Sequence, residues 1–192
     1  MYGPTVTTIL TGIFLVAALV IYVIILYNRL VDRKNNVNSA WADIDVHLKK
    51  RYDLIPSILE TASGYAAHEQ KTLEKVAAAR GSAMRSLAPS EKAAKENILT
   101  ETLKSFFSVV ENYPTLKANE AFLNLQKELG SIENSIESAR RYYNALVRDH
   151  NILVEIFPAN IVAGAFGFTK TEYFSLKEPE KERTPPALRP NR

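Results

Sequence analysis

The sequence predicts an all-α protein in which an N-terminal transmembrane helix precedes an antiparallel bundle of long helices. Two observations carry this prediction: an apolar run at residues 5–27, and apolar side chains spaced alternately by three and four residues in the rest of the chain. Such spacing places side chains along one face of an α-helix, as in coiled coils and helix bundles. We expect each helix of the bundle to bury one face only.

The apolar run reads TVTTILTGIFLVAALVIYVIILY, and no charged side chain precedes Arg29. About 20 apolar residues in a helix cross the hydrocarbon core of a bilayer. The alternative is a cleaved signal peptide, which needs a positively charged start and a cleavage site of small residues. The chain opens with Met-Tyr-Gly-Pro and leaves the run at Tyr27-Asn28, so neither feature is present. We therefore predict that residues 1–28 are a retained anchor.

The charges beside this anchor predict its orientation. Arg29, Arg33 and Lys34 follow the apolar run directly, and no lysine or arginine precedes it. Because positive flanks stay on the cytoplasmic side, we expect the C-terminal part in the cytoplasm and the N-terminus outside. This describes a single-pass protein of the cytoplasmic (inner) membrane.

The longest heptad seam lies at residues 122–157. Its members are Phe122, Leu125, Leu129, Ile132, Ile136, Ala139, Tyr143, Leu146, His150, Leu153 and Phe157. A helix of this length extends over roughly 50–60 Å at 1.5 Å per residue. Charged side chains such as Glu133 lie off the seam, and we expect them to stay in water.

A second seam follows the anchor, and Pro56 interrupts it. Its members are Val37, Trp41, Ile44, Leu48, Arg51, Ile55, Ile58, Ala62, Tyr65 and Glu69. Proline removes a backbone donor, so the helix either kinks or turns there. The unbroken spacing favours a kink and three helices. Segment lengths favour four up-and-down helices, at 29–54, 57–86, 90–112 and 117–157, and this is the arrangement we predict.

Three members of the seams are polar: Arg51, Glu69 and His150. In one interpretation they snorkel or form pairs at the surface of the bundle. In the other they form buried polar contacts that fix the register of the helices, as single polar seam residues do.

An apolar, glycine-containing segment follows the long helix, FPANIVAGAFGFTKTEYF at residues 157–174. It is too short to span a membrane, so it caps the bundle, lies at the membrane surface or meets another copy. The candidate interaction residues are Phe157, Pro158, Ile161, Val162, Phe166 and Phe168. The predicted plan is thus an anchor at 1–28, a bundle at 29–157, this segment at 158–174, and a disordered charged, proline-rich tail at 175–192.

Patterns associated with catalysis or with metals are not found. The chain contains no cysteine, which excludes disulfides, thiolate nucleophiles and zinc–thiolate sites. His68-Glu69 resembles the start of a zinc-protease motif, but Thr72 stands where the second histidine is needed. No phosphate-binding loop or nucleophile–base pair is recognisable. We predict a protein without catalytic residues or cofactor, and the scattered basic residues argue against nucleic-acid binding.

Several stretches together resemble the LemA family of bacterial membrane proteins. They are YNRLV at 27–31, IDVHLKKRYDLIP at 44–56, GYAAHE at 64–69, YPTLKANEAFLNLQKEL at 113–129, RRYYNALVRDHN at 140–151 and FPANIVAGAFGF at 157–168. The resemblance implies an N-terminal anchor and an antiparallel bundle, and it favours four helices. His150 departs from the pattern, because the resemblance implies a tyrosine there.

The resemblance implies no enzymatic activity. Some members of the family act in membrane remodelling during organelle formation, and others lie in gene neighbourhoods with membrane heat-shock metalloproteases. We therefore expect a membrane-anchored scaffold that self-associates and organises partner proteins or the membrane. The alternative is a monomeric adaptor or regulator of a membrane enzyme such as a heat-shock metalloprotease.

Overall fold

The computed structural model describes residues 3–86 and 89–174, which form helices and turns without any strand. The α-helices are α1 (Pro4–Ser63), α2 (Gln70–Arg85), α3 (Pro89–Val110), α4 (Pro114–Lys117), α5 (Glu120–Glu155) and α6 (Ala159–Ala165), and a 3-10 turn at Ala67–Glu69 lies between α1 and α2. The prediction of an all-α helical bundle with an apolar N-terminal helix is confirmed. The predicted disordered tail lies outside the described residues.

The chain divides into two compact units. One unit, here called the anchor unit, comprises Met1–Asp45 and Ser138–Glu172. The other, here called the bundle unit, comprises Val46–Glu137 and Tyr173–Arg192. Both long helices, α1 and α5, contribute to each unit.

The first part of α1 is long and apolar enough to cross a membrane, and only 6% of its most apolar window is buried. A core helix of a soluble protein would bury most of such a stretch. The helix continues without a break beyond the apolar run, and Leu26 and Leu30 are already part of a buried core. Cleavage after the run would remove Leu26 from that core. The chain is a membrane protein with one candidate span among the described residues.

The core of the anchor unit joins α1, α5 and α6. Its buried members are Leu26, Leu30, Leu153, Ala159, Val162 and Ala163. In this unit α1 and α5 run antiparallel: Arg33 pairs with Asp149 at 3.8 Å, and further along α1 the Trp41 ring lies 5.4 Å from that of Tyr143. The seam of α5 is buried here at Tyr143, His150 and Leu153.

Phe157 is an exception to the predicted seam. Its side chain is 78% exposed, because α5 ends at Glu155 and the heptad spacing no longer determines which way the next residues face. The prediction that Phe157 belongs to the buried seam was wrong.

The core of the bundle unit is formed by the predicted seams of α1 and α5 and by an apolar face of α3. Buried members include Leu48, Ile55, Ile58 and Ala62 from α1, Leu99, Leu103, Phe106 and Val110 from α3, and Phe122, Leu129, Ile132 and Ile136 from α5. In this unit too, α1 and α5 run antiparallel, since Arg51 contacts Glu133 and the later Tyr65 contacts Asn119. The Asn119 side chain also accepts a hydrogen bond from the Phe122 N–H at 2.9 Å and so caps the start of α5.

The favoured turn at Pro56 does not occur. Helix α1 passes through Pro56 and ends at Ser63, and the chain turns at residues 64–69 instead. The bundle still has four long helical segments, but its first is longer and its second shorter than predicted. The seam of α1 accordingly ends at Ala62, and Tyr65 and Glu69 lie in the turn beyond it.

An arginine explains how α1 tolerates this proline. Pro56 has no N–H, so the carbonyl of Tyr52, four residues earlier, loses its helical hydrogen bond. The Arg80 Nε atom on α2 donates a hydrogen bond to that carbonyl oxygen at 2.6 Å. A side chain from the neighbouring helix thus replaces the donor that the proline lacks.

We predict that the loss of stability on removing the Arg80 side chain depends on whether residue 56 is proline. Arg80→Ala leaves a partly buried carbonyl unsatisfied and is expected to destabilise the protein by about 1–3 kcal/mol. In a Pro56→Ala background the backbone N–H that alanine restores satisfies the same carbonyl, so Arg80→Ala should cost clearly less. The measurement is thermal unfolding of the full chain in mild detergent, followed by helical circular dichroism. Arg85→Ala on the same helix is the control, and equal costs in both backgrounds would contradict the explanation.

Candidate functional site

The six predicted interaction residues divide between two faces of α6 and its flanks. Phe157, Ile161 and Phe166 are exposed, at 78%, 62% and 58% respectively. Val162 is buried in the core of the anchor unit, and Pro158 and Phe168 are half-buried. Phe157, Ile161 and Phe166, here called the α6 surface, are large apolar side chains that remain exposed to solvent in a single chain.

The α6 surface lies beside the end of the apolar run. The inner face of α6 packs against Leu26 and Leu30, and the ring of Phe166 lies 4.8 Å from that of Tyr27. The Phe168 ring is 5.8 Å from the Tyr27 ring on another side. The inner face of this segment therefore packs on α1 and α5, and its outer face lies next to Tyr27, the last residue of the run.

A glycine with a left-handed backbone follows the C-terminal end of α6. Gly167 has φ of +74°, and the Phe168 N–H donates to the Ala163 carbonyl at 2.9 Å. This is the hydrogen bond of a Schellman cap, in which glycine is favoured because it lacks a Cβ. The cap turns the chain so that Phe168 returns to the core.

After the cap, residues 169–172 lie along α5 and are held there by polar side chains. Asn151 donates to the Thr171 carbonyl at 3.0 Å and accepts from the Thr171 N–H at 2.8 Å. Buried His150 places its Nε2 atom 3.1 Å from the Thr169 carbonyl. Because a carbonyl oxygen only accepts, this Nε2 atom carries the proton. The Tyr143 hydroxyl completes the set by donating to the Glu172 carbonyl at 2.9 Å.

The buried position of Tyr143 changes its acidity. Burial, and then the nearby charge of Glu172, raise the pKa of Tyr143 to about 12. The phenol is therefore a neutral donor at physiological pH. Together, Tyr143, His150 and Asn151 attach an irregular segment to a regular helix.

Arg51 is the centre of a buried polar network in the bundle unit. Its side chain is 1% exposed, and its guanidinium pairs with the carboxylate of Glu96, which is itself buried. The Nη1 atom donates to Glu133 at 2.8 Å and to Thr100 at 3.2 Å. The Tyr52 hydroxyl donates to the other oxygen of Glu96. The network links α1, α3 and α5.

Glu69, the remaining polar seam candidate, takes no part in that network. It ends the 3-10 turn, where it accepts a hydrogen bond from the Tyr113 hydroxyl at 3.0 Å. This hydrogen bond, with some burial and the charge of Glu69, raises the pKa of Tyr113. The surface interpretation is therefore wrong for Arg51 and His150, which are buried, whereas Glu69 is half-exposed.

Sequence reasoning misplaced Glu133 and missed four residues of these networks: Tyr52, Glu96, Thr100 and Asn151. Glu96 lies three residues before Leu99, in step with the buried residues Leu99, Leu103, Phe106 and Val110 of α3, and this spacing could have indicated it. Asn151 follows His150 on α5 and its partner is irregular backbone, for which no periodic signal exists. Glu133 was expected in water but is half-buried against Arg51.

The arrangement favours structure over catalysis. The Tyr52 hydroxyl and the Arg51 guanidinium both bind Glu96, and the charges of Arg51 and Glu96 compensate each other. Among residues 3–86 and 89–174, no group of three or more His, Asp or Glu side chains is arranged to hold a metal ion.

Comparison with known proteins decides the family. The LemA family model matches residues 40–189, which is most of the chain. The protein belongs to the LemA family. The match includes the Arg51 network, α6 and the segment attached to α5.

Named relatives of this LemA-family protein include magnetosome proteins. Magnetosome proteins MamQ 1 and MamQ 2 of Paramagnetospirillum magneticum are each 23% identical over 201 residues, covering 91% of this chain and 74% of the relative. Protein LemA of Metamycoplasma hominis is 25% identical over 158 residues, covering 80% of this chain and 71% of the relative. The names of these relatives assign no enzymatic activity.

The Arg51 network predicts a large difference between single and double substitutions. Arg51→Met leaves the buried Glu96 carboxylate unpaired and should cost about 3–5 kcal/mol of stability. Arg51→Met combined with Glu96→Leu removes both charges at similar volume and should recover most of the loss. Thermal unfolding of the full chain in mild detergent measures both.

A surface pair provides the control for this prediction. Lys104 and Glu101 form an ion pair at 2.9 Å with both side chains mostly exposed, so Lys104→Met should cost less than about 1 kcal/mol. A double variant no more stable than Arg51→Met would show that the pair itself stabilises the fold.

Proposed function

We propose that this LemA-family protein is a non-enzymatic, membrane-anchored helical scaffold that self-associates and organises partner proteins or the membrane. The observation that carries the proposal is the α6 surface: Phe157, Ile161 and Phe166 are exposed beside the end of the span. Large apolar patches on a folded protein mark contacts with a membrane or another protein. Here the patch adjoins the lipid-facing side chains of the span.

This surface supports association in the plane of the membrane. A short apolar helix at the level of the headgroups inserts its exposed face among the lipids. Two copies anchored in one bilayer already share a plane and an orientation, so their α6 surfaces meet at a high effective concentration. We infer that copies contact one another through α6, and that the assembled helices enter one leaflet only.

The names of the relatives support the same proposal. The similarity to magnetosome proteins MamQ 1 and MamQ 2 extends over 91% of this chain. A protein that organises a membrane needs an anchor and an apolar contact surface. No catalytic group is required for this role.

The first prediction from this proposal concerns the mass of the assembly that the full chain forms. The full chain in mild detergent should form a discrete assembly of several copies, measured as an absolute mass by light scattering. Replacing the α6 surface with serine, as Phe157→Ser, Ile161→Ser and Phe166→Ser together, should reduce the mass to that of a single copy. The expected cause is the loss of apolar area at about 25 cal/mol per Å².

A matched variant tests whether the position of the apolar residues matters. Val46, Ile98 and Leu123 are exposed apolar residues of the bundle unit. Their replacement by serine should leave the assembly intact. A monomeric wild-type protein would contradict self-association and favour the adaptor function, for which cross-linking in native membranes should then recover a membrane enzyme in stoichiometric amount.

We also propose that the bundle lies in the cytoplasm and the N-terminus outside, since Arg29, Arg33 and Lys34 follow the span. The chain contains no cysteine, so a single introduced thiol reports on one position. We predict that a membrane-impermeant maleimide added to intact cells labels Gly3→Cys and not Lys104→Cys. Both thiols should react after lysis, and labelling of Lys104→Cys in intact cells would reverse the proposed orientation.

A further inference from the structure

A groove lies between α1 and α5 in the anchor unit. Its volume is about 290 Å³. The residues that line it are Arg29, Arg33, Asp149, Ile152, Leu153 and Ile156. Two guanidinium groups therefore share one groove with three aliphatic side chains.

The polar side of the groove is at the level of lipid headgroups. Arg29 follows Tyr27 by two residues, which is a rise of about 3 Å along a helix. Arg33 follows one turn later and lies 3.8 Å from Asp149, with both side chains about 40% exposed. Arg29 makes no ion pair within the described part of the chain. The groove thus holds one free and one partly compensated positive charge.

The apolar side of the groove is open as well. Ile152 and Ile156 are each 47% exposed, whereas Leu153 between them is buried. Their spacing of four residues places both isoleucines on one face of α5. Exposed isoleucines beside exposed arginines suit a ligand that has both a charged and an aliphatic part.

We propose that this groove binds an anionic phospholipid from the leaflet on the bundle side. The phosphate accepts hydrogen bonds from Arg29 and Arg33, since the planar guanidinium matches phosphate oxygens. The first part of an acyl chain lies along Ile152 and Ile156. The volume is near the lower end of the range of ligand pockets, about 300–1,000 Å³, so the groove fits a headgroup and a chain segment rather than a whole lipid.

This proposal rests on the membrane placement of the proposed function but not on self-association. Lipid binding is counted per polypeptide, whereas association is measured as mass. A monomeric protein that retains lipid would contradict the proposed self-association and support the lipid-binding groove. An assembly that retains no lipid would support self-association and contradict the groove.

The test is native mass spectrometry of the full chain in mild detergent with added lipid. Phosphatidylglycerol should remain bound in preference to phosphatidylcholine. Arg29→Gln with Arg33→Gln should weaken retention by about 25-fold, which is about fivefold for each arginine near an anionic surface. The control is Lys49→Gln with Lys104→Gln, which removes the same charge from exposed positions outside the groove and should change nothing.

Two further measurements distinguish a specific binding site from simple charge attraction. Ile152→Ser with Ile156→Ser leaves the charge unchanged and should also weaken retention of phosphatidylglycerol. Soluble glycerol phosphate should not compete at the same concentration, because it lacks the acyl chain. Equal retention of both lipids, or wild-type retention by the arginine variant or by the isoleucine variant, would overturn the proposal. Effective competition by glycerol phosphate would assign the groove to a soluble phosphate instead.

Discussion

The structure depends on the continuous series of backbone hydrogen bonds in α1. A chain that crosses a bilayer must satisfy every peptide group internally, so the span is helical. In this protein the same helix continues to Ser63, well beyond the apolar run, and α2, α3, α5 and α6 contact it. Its one weak point is Pro56, where this series lacks a donor and Arg80 supplies it. Continuity of α1 is therefore maintained by a residue on a different helix.

Polar contacts distinguish one helix register from another, which the apolar seams do not. A heptad seam repeats, so sliding one helix by seven residues restores a similar apolar contact. The pairing of Arg51 with Glu96 and Glu133 exists in one register only, and a shift would leave buried charges without partners. In the anchor unit, Asn151 and His150 have the same effect on a segment that has no periodicity of its own. We regard these contacts as the features that select one arrangement among several of similar apolar burial.

Much of this architecture could be predicted from the sequence, because it follows from periodicity. The span, the buried seams and the apolar segment that contains α6 all come from runs and spacings of apolar residues. The turn at residues 64–69 could not, since segment lengths favoured a turn at Pro56 over the unbroken seam, and the donor that Arg80 supplies there lies on another helix. The α6 residues were found as a group, but not their division into an inner and an outer face. That division depends on the packing of Val162 against Leu26 and Leu30.

The packing of α6 also bears on how the protein is handled. Its inner face is covered partly by Leu26, which belongs to the apolar run. A soluble fragment that starts after the run would lose this side chain, and Ala159, Val162 and Ala163 would gain water contact. Such a fragment exposes both faces of α6 at once, which invites aggregation and misleads any assay of its natural contacts. Detergent or nanodisc preparations that keep residues 5–27 preserve the surface on which α6 folds.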